Sequence, residues 1–178
     1  MRKMMGLVVL VMASSSALFA QVFGPTGNTS LDLTVASEAA IRVDTAATTL
    51  SSGGTFNDYT GTTNFTYKIR TTKVGGSGSV TLQITTDFSP AGGPSVAAPP
   101  DPADTLGYTC TVAAPGSACA GSQTASTTAA TGVATFGANA RSVAAGTGGN
   151  SVAWTLTNDP QYETGSYSAV ATFTISAT

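Results

Sequence analysis

"FTYKIRTTKVGGSGSVTLQITTD", Phe65 to Asp87, is the stretch whose reading decides the fold. Phe65, Tyr67 and Ile69 alternate with Thr66, Lys68 and Arg70; Val80, Leu82 and Ile84 alternate with Thr81, Gln83 and Thr85. Successive side chains of a strand point to opposite faces, so each run has one apolar and one polar face. That is the pattern of a half-buried antiparallel strand. The glycines of "GGSG", Gly75 to Gly78, lie between the two runs and predict a hairpin loop.

The same period recurs along the chain. Leu31, Leu33 and Val35 show it, and the parity resumes at Ala39, Ile41 and Val43. It returns in Leu106, Tyr108 and Cys110, in Val152, Trp154 and Leu156, and in Tyr167, Ala169, Ala171, Phe173 and Ile175. Weaker strands are expected over 133–136 and 141–144. Turn clusters separate them: "SSGG" at Ser51, "GTGGN" at Gly146 as a second hairpin candidate, and the Pro-rich stretch 89–104, which cannot be a central strand. "VTLQITTD" from Val80 echoes "VAWTLTND" from Val152, each a strand ending at an Asp suited to satisfying turn N–H groups. No long stretch carries a helical stripe; "ASTTAATGVA" is rich in Ala, but Thr and Gly weaken it as a helix. The expectation is an all-β chain, a single immunoglobulin-like antiparallel β-sandwich of about seven to nine strands, with a barrel as the alternative.

The start of the chain reads as a secretory signal. Arg2 and Lys3 precede the apolar run "MMGLVVLVM", which is too short to span a bilayer, and "ASSSALFA" leads to Gln21. Residues 1–20 are assigned to the signal and 21–178 to the sandwich, with cleavage after Ala20 and Ala17 as the alternative cut. No later stretch is long and apolar enough to span a membrane, so the expected location is outside the cytoplasm: extracellular, at the cell surface or periplasmic. Cys110 and Cys119, an even pair in an exported chain, predict one disulfide. Pro115-Gly116 between them suits a type II turn, in a loop wider than a tight hairpin.

Composition narrows the function. The chain has 7 Lys and Arg against 9 Asp and Glu. Without Arg2 and Lys3 the balance falls to about −4, the wrong sign for nucleic acid. There is no His, which removes His-based triads, His-ligated zinc and His pH switching. Lys68 and Lys73 do not lie three residues after a Ser, and no G-x-S-x-G, G-x-G-x-x-G or P-loop pattern occurs. Acids suited to a glycosidase pair sit mainly in turns: Asp44, Asp58, Asp87 and Asp159. The expectation is a protein without catalytic residues and without a cofactor. Asp101 and Asp104 in "PPDPADT" are the one weak calcium candidate, without EF-hand spacing. Tyr59 and Tyr162 lie in turn-rich stretches as a candidate carbohydrate platform, while the phase of Trp154 puts it in the core. Asn28 and Asn64 begin glycosylation sequons that matter only in a eukaryotic secretory route.

The exported precursor, the disulfide and the final "GSYSAVATFTISAT" resemble secreted bacterial immunoglobulin-like surface proteins, of the fimbrial-subunit and spore-coat-U pilin-like kind. In those families a Gly-x-Tyr sequence, here Gly165-Ser166-Tyr167, introduces a last alternating strand. The expected bridge closes a short loop, whereas fimbrial subunits commonly join strands far apart in sequence. The resemblance implies strand exchange between subunits. Leu31, Leu33 and Val35 would be the donated strand, Gln21 to Ser30 its lead, and Phe173 and Ile175 the lining of the accepting groove. The alternative is that Leu31 to Val43 pairs within its own sandwich. The function expected is a structural or surface-assembly subunit, partnered by itself or by other surface proteins; a carbohydrate-binding or adhesin module is the alternative.

Overall fold

The computed structural model describes residues 26–178. The signal segment 1–20 and both cleavage positions lie outside the described residues. The chain divides into Met1–Thr34 and Val35–Thr178. The described part of the first unit carries no regular structure. The second unit is an all-β sandwich, and no helix occurs among the described residues.

Ten strands build it: β1 Glu38–Val43, β2 Ser51–Ser52, β3 Tyr59–Arg70, β4 Gly78–Ser89, β5 Leu106–Thr111, β6 Ser117–Ala118, β7 Gln123–Thr124, β8 Thr131–Phe136, β9 Thr147–Leu156 and β10 Ser168–Ala177. One sheet has the order β1-β3-β9-β5-β7, with β2 sharing the β1 edge of β3. The other has the order β10-β4-β8-β6, and all pairings are antiparallel. The core lies where the inward residues meet. Phe65, Tyr67, Ile69, Val152, Trp154 and Leu156 face Val80, Leu82, Ile84, Val133 and Phe136, all buried. A β-bulge between Val80 and Thr81 shifts the β8 register, and Val133 and its neighbour Ala134 are both buried.

Polar groups inside this core are paired. Asn150 is buried, donates to the Phe65 carbonyl at 3.0 Å and the Thr147 carbonyl at 2.7 Å, and accepts from Ala113 N–H at 2.9 Å. Trp154 Nε1–H donates to the Thr63 hydroxyl at 2.8 Å. Such satisfaction is required because an unpaired buried polar group costs about 1–3 kcal/mol.

Several sequence expectations differ in their connections. "GGSG" does not close a hairpin: β3 and β4 lie in different sheets, so the segment crosses between layers. Alternation fixes which face of a strand is buried and says nothing about its neighbour. "GTGGN" falls mostly inside β9, where Gly149 at φ 75° and a bulge opposite Phe65 and Tyr67 accommodate the extra backbone. The stretch 141–144 is held to β3 by one bridge, Arg70 to Arg141, and is not a strand. The regular pairing of β1 begins at Glu38, so the alternation at Leu31 to Val35 is not part of a strand. The turn in the Cys110–Cys119 loop closes at Ala113–Gly116, with Gly116 N–H on the Ala113 carbonyl at 3.1 Å. Pro115 is third in it and not second, so Pro115-Gly116 is not the central pair of a type II turn.

Candidate functional site: the open side of the sandwich

The sandwich has two lateral sides, and one of them is sewn shut. Cys110 at β5 and Cys119 after β6 form a disulfide with a Cα–Cα distance of 5.5 Å, joining the two sheets. The chain from β6 to β7 then passes from one sheet to the other. Cys119 N–H reaches the Val133 carbonyl at 3.0 Å, and Ala125 N–H reaches the Leu106 carbonyl at 2.9 Å.

The opposite side is flanked by β1 and β10. β10 pairs with β4 and β1 pairs with β3; among the described residues neither has a partner on its other edge. The inward residues here are only half-buried: Ile41 on β1, and Ala169, Ala171, Phe173 and Ile175 on β10. Phe173 packs on Phe65 with ring centroids 5.9 Å apart, so the lining of this side is continuous with the core. The sequence "SAVATFTISA" holds no charge and no Pro, two features that usually blunt an edge, and its pairing with β4 is irregular only between Ser168 and Ala171.

The entry to β10 has its own anchor. Tyr167 donates to the Glu163 carbonyl at 2.7 Å, folding its ring back over the preceding turn, in the manner of the tyrosine corner of immunoglobulin-type sandwiches. A Cβ at Gly165 would crowd the Tyr167 hydroxyl, and one at Gly93 would run into the ring. Gly165-x-Tyr167 is thus a physical unit: the glycine makes room for the aromatic ring that positions the last strand.

Leu31 is 92% exposed and Leu33 is 85% exposed, with Val35 also exposed. These apolar side chains alternate along a segment without regular structure.

The other sequence candidates gather at one end of the sandwich. Asp104 is buried, its Oδ2 accepts from Asp101 N–H at 3.3 Å, and the Asp159 carboxyl lies beside it. Burial raises the Asp104 carboxyl above the usual carboxylate range, and the neighbouring Asp159 adds to the rise. Asp101 Oδ1 accepts from Ala103 N–H at 2.8 Å, so both candidate calcium ligands also order their own loop. Among the described residues no group of three His, Cys, Asp or Glu is placed to hold a metal ion. Tyr59 and Tyr162 are half-buried, and Trp154 is buried, so the three do not form an exposed aromatic set. The Tyr162 hydroxyl is buried without a hydrogen bond of good geometry, and burial beside Asp104 and Asp159 pushes its pKa up to about 12.

From the sequence alone Asp159 is a turn residue. Its approach to Asp104 follows from the pairing of Leu106 with Leu156, which brings the start of β5 beside the end of β9. The strand-ending acids do hold turns. Asp159 accepts from Gln161 N–H, and Asp87 accepts from Phe88, Val96 and Ala97 N–H and from the Ser95 hydroxyl. Partial burial pushes Asp87 up, but these four donors outweigh it and hold its pKa below the ordinary value.

No family model, curated protein or solved structure matches this chain.

Proposed function

We propose that this protein is a non-catalytic, exported structural subunit of a surface assembly, and that copies join by strand complementation. Leu31, Leu33 and Val35 of one copy lie along the unpaired edge of β10 in another. Their side chains enter the open side beside Phe173 and Ile175. The observation that carries this reading is the ten-residue, charge-free β10 with one unpaired edge, facing β1 across a half-exposed apolar lining. Main-chain hydrogen bonds supply affinity in such a contact, and alternate side chains set register. The disulfide is compatible with an exported protein.

The test is the size of the mature protein with and without residues 21–35, by sedimentation and electron microscopy. Intact chain should form large assemblies, and the truncated chain should remain a folded monomer that a peptide of residues 28–37 binds. Folded monomers in both cases, or a truncated chain that does not fold, overturn the reading.

A further inference from the structure

Charge is sorted along the strand axis of the sandwich. At the end where β3 begins and β4 and β9 finish stand Asp58, Asp87, Asp101, Asp104, Asp159 and Glu163, with no Lys or Arg among the described residues. At the opposite end, where β3 finishes, stand Lys68, Arg70, Lys73 and Arg141. Among the described residues of the sandwich Glu38 is the one acid there and is paired with Arg70 at 2.7 Å; Asp32 belongs to the segment that precedes β1. Between the ends Arg42 and Asp44 neutralise each other at 2.6 Å. Each end also carries a bare apolar side chain: Val74 and Val143 at the basic end, Phe56 at the acidic end. A shallow, open depression at the basic end is lined by Lys68, Arg70 and Arg141 together with Glu38.

Opposite ends of opposite sign suit a second copy of the same molecule. The direction of the chain agrees: β1 starts at the basic end, where Glu38 pairs with Arg70, so residues preceding β1 leave the sandwich there. The basic end is therefore the face that a strand donor presents to its acceptor.

We propose that the basic end of one copy docks on the acidic end of the next. This is a heterologous head-to-tail contact, with the exposed valines and Phe56 inside a charged rim. Such a contact builds an open chain of subunits when its rotation does not close. It rests on the reading of the protein as an assembly subunit and adds what strand pairing lacks. Complementary charge steers encounter and fixes which end meets which.

The experiment follows the mature full chain after dilution from denaturant, with Trp154 fluorescence reporting folding and light scattering reporting assembly. Two variants alter exposed side chains only: K73E/R141E at the basic end and D58K/E163K at the acidic end. For the unaltered chain the initial assembly rate should fall at least about tenfold between roughly 0.01 M and 1 M salt, as the screening length drops from about 30 Å to about 3 Å. At low salt each variant alone should fold at the normal rate and assemble at least about tenfold more slowly. An equimolar mixture restores one native junction and should assemble faster than either variant alone. Assembly that ignores salt, or variants that assemble like the unaltered chain, overturns the proposal. Loss of assembly on removing residues 21–35 with no response to charge leaves strand complementation standing and removes this contact. A charge response in a chain that assembles equally well without residues 21–35 does the reverse.

Discussion

The two lateral sides of the sandwich solve the same problem in opposite ways. A strand edge offers unpaired N–H and C=O groups to any passing chain. On the Cys110–Cys119 side the edge strands β6 and β7 are two residues each, and a covalent bridge joins the sheets behind them. On the β1–β10 side β10 is ten residues long and uncharged, β1 is six residues long and carries Glu38 and Arg42, and no disulfide joins the two. The inward residues of β10 are no more than half-buried throughout, whereas the central β3 buries Phe65, Tyr67 and Ile69. A chain able to close one side so thoroughly leaves the other open, and that asymmetry directs attention to β10 as the surface with unfinished pairing.

The comparison can be broken first at its aromatic pair. Phe65→Ala removes a buried ring and should cost about 3–5 kcal/mol, while Phe173→Ala on the open side should cost about half as much. Urea unfolding of the two variants in the protein lacking residues 21–35 reads the difference, and equal costs would mean that the open side is packed as tightly as the centre. The closed side comes next. Replacing both cysteines by Ser should lower stability by about 2–3 kcal/mol, the chain-entropy value for a loop this short. The unaltered protein should show the same loss on reduction, and no change in midpoint would mean that the β6–β7 stitching suffices alone. Tyr167→Phe, which removes the hydroxyl bond at the entry to β10, should cost about 1 kcal/mol in thermal unfolding.

The smallest effects are those of pH, and they belong to the acidic end. Asp87 has a lowered folded pKa, so its contribution is present above the unfolded value of 3.8 and is lost as pH falls through the folded one. Asp104 has a raised folded pKa, so its contribution is present below 3.8 and is lost as pH rises through the folded value. Asp104→Asn should therefore flatten the decline of stability just above that pH, and Asp87→Asn should flatten the rise below it. Denaturant midpoints across the acid range check both signs, and a reversed sign at either position would mean that its surroundings differ from those described.

The strands that form the centre were legible because burial on one face imposes strict alternation. Phe65, Tyr67, Ile69, Val80, Leu82, Ile84, Val152, Trp154 and Leu156 are all buried in that phase. Connections were not legible in the same way. The glycines after Lys73 fit a hairpin as well as a crossover, and what selects the crossover lies far away in sequence. The Thr71 hydroxyl donates to the Gly137 carbonyl at 2.7 Å and accepts from Ala140 N–H at 2.8 Å, tying the end of β3 to the β8–β9 loop. Leu31 to Val35 carries the alternation of a strand without pairing as one, since pattern records suitability and not the presence of a neighbour. The Asp104–Asp159 contact was hidden for the same reason: it depends on β5 and β9 being adjacent, a property of the sheet order.

The outer face of β10 has a consequence beyond assembly. Thr172 meets Thr85 at 2.8 Å, Ser176 meets Ser79 at 3.1 Å, and Thr178 meets Ser77 at 3.0 Å, so the face is a row of hydroxyls bonded to one another. No Lys or Arg occurs between Lys73 and Arg141, or after Arg141. A protease that cuts after basic residues thus finds no target on the whole β10-β4-β8-β6 sheet, whose backbone is left to enzymes that read other side chains.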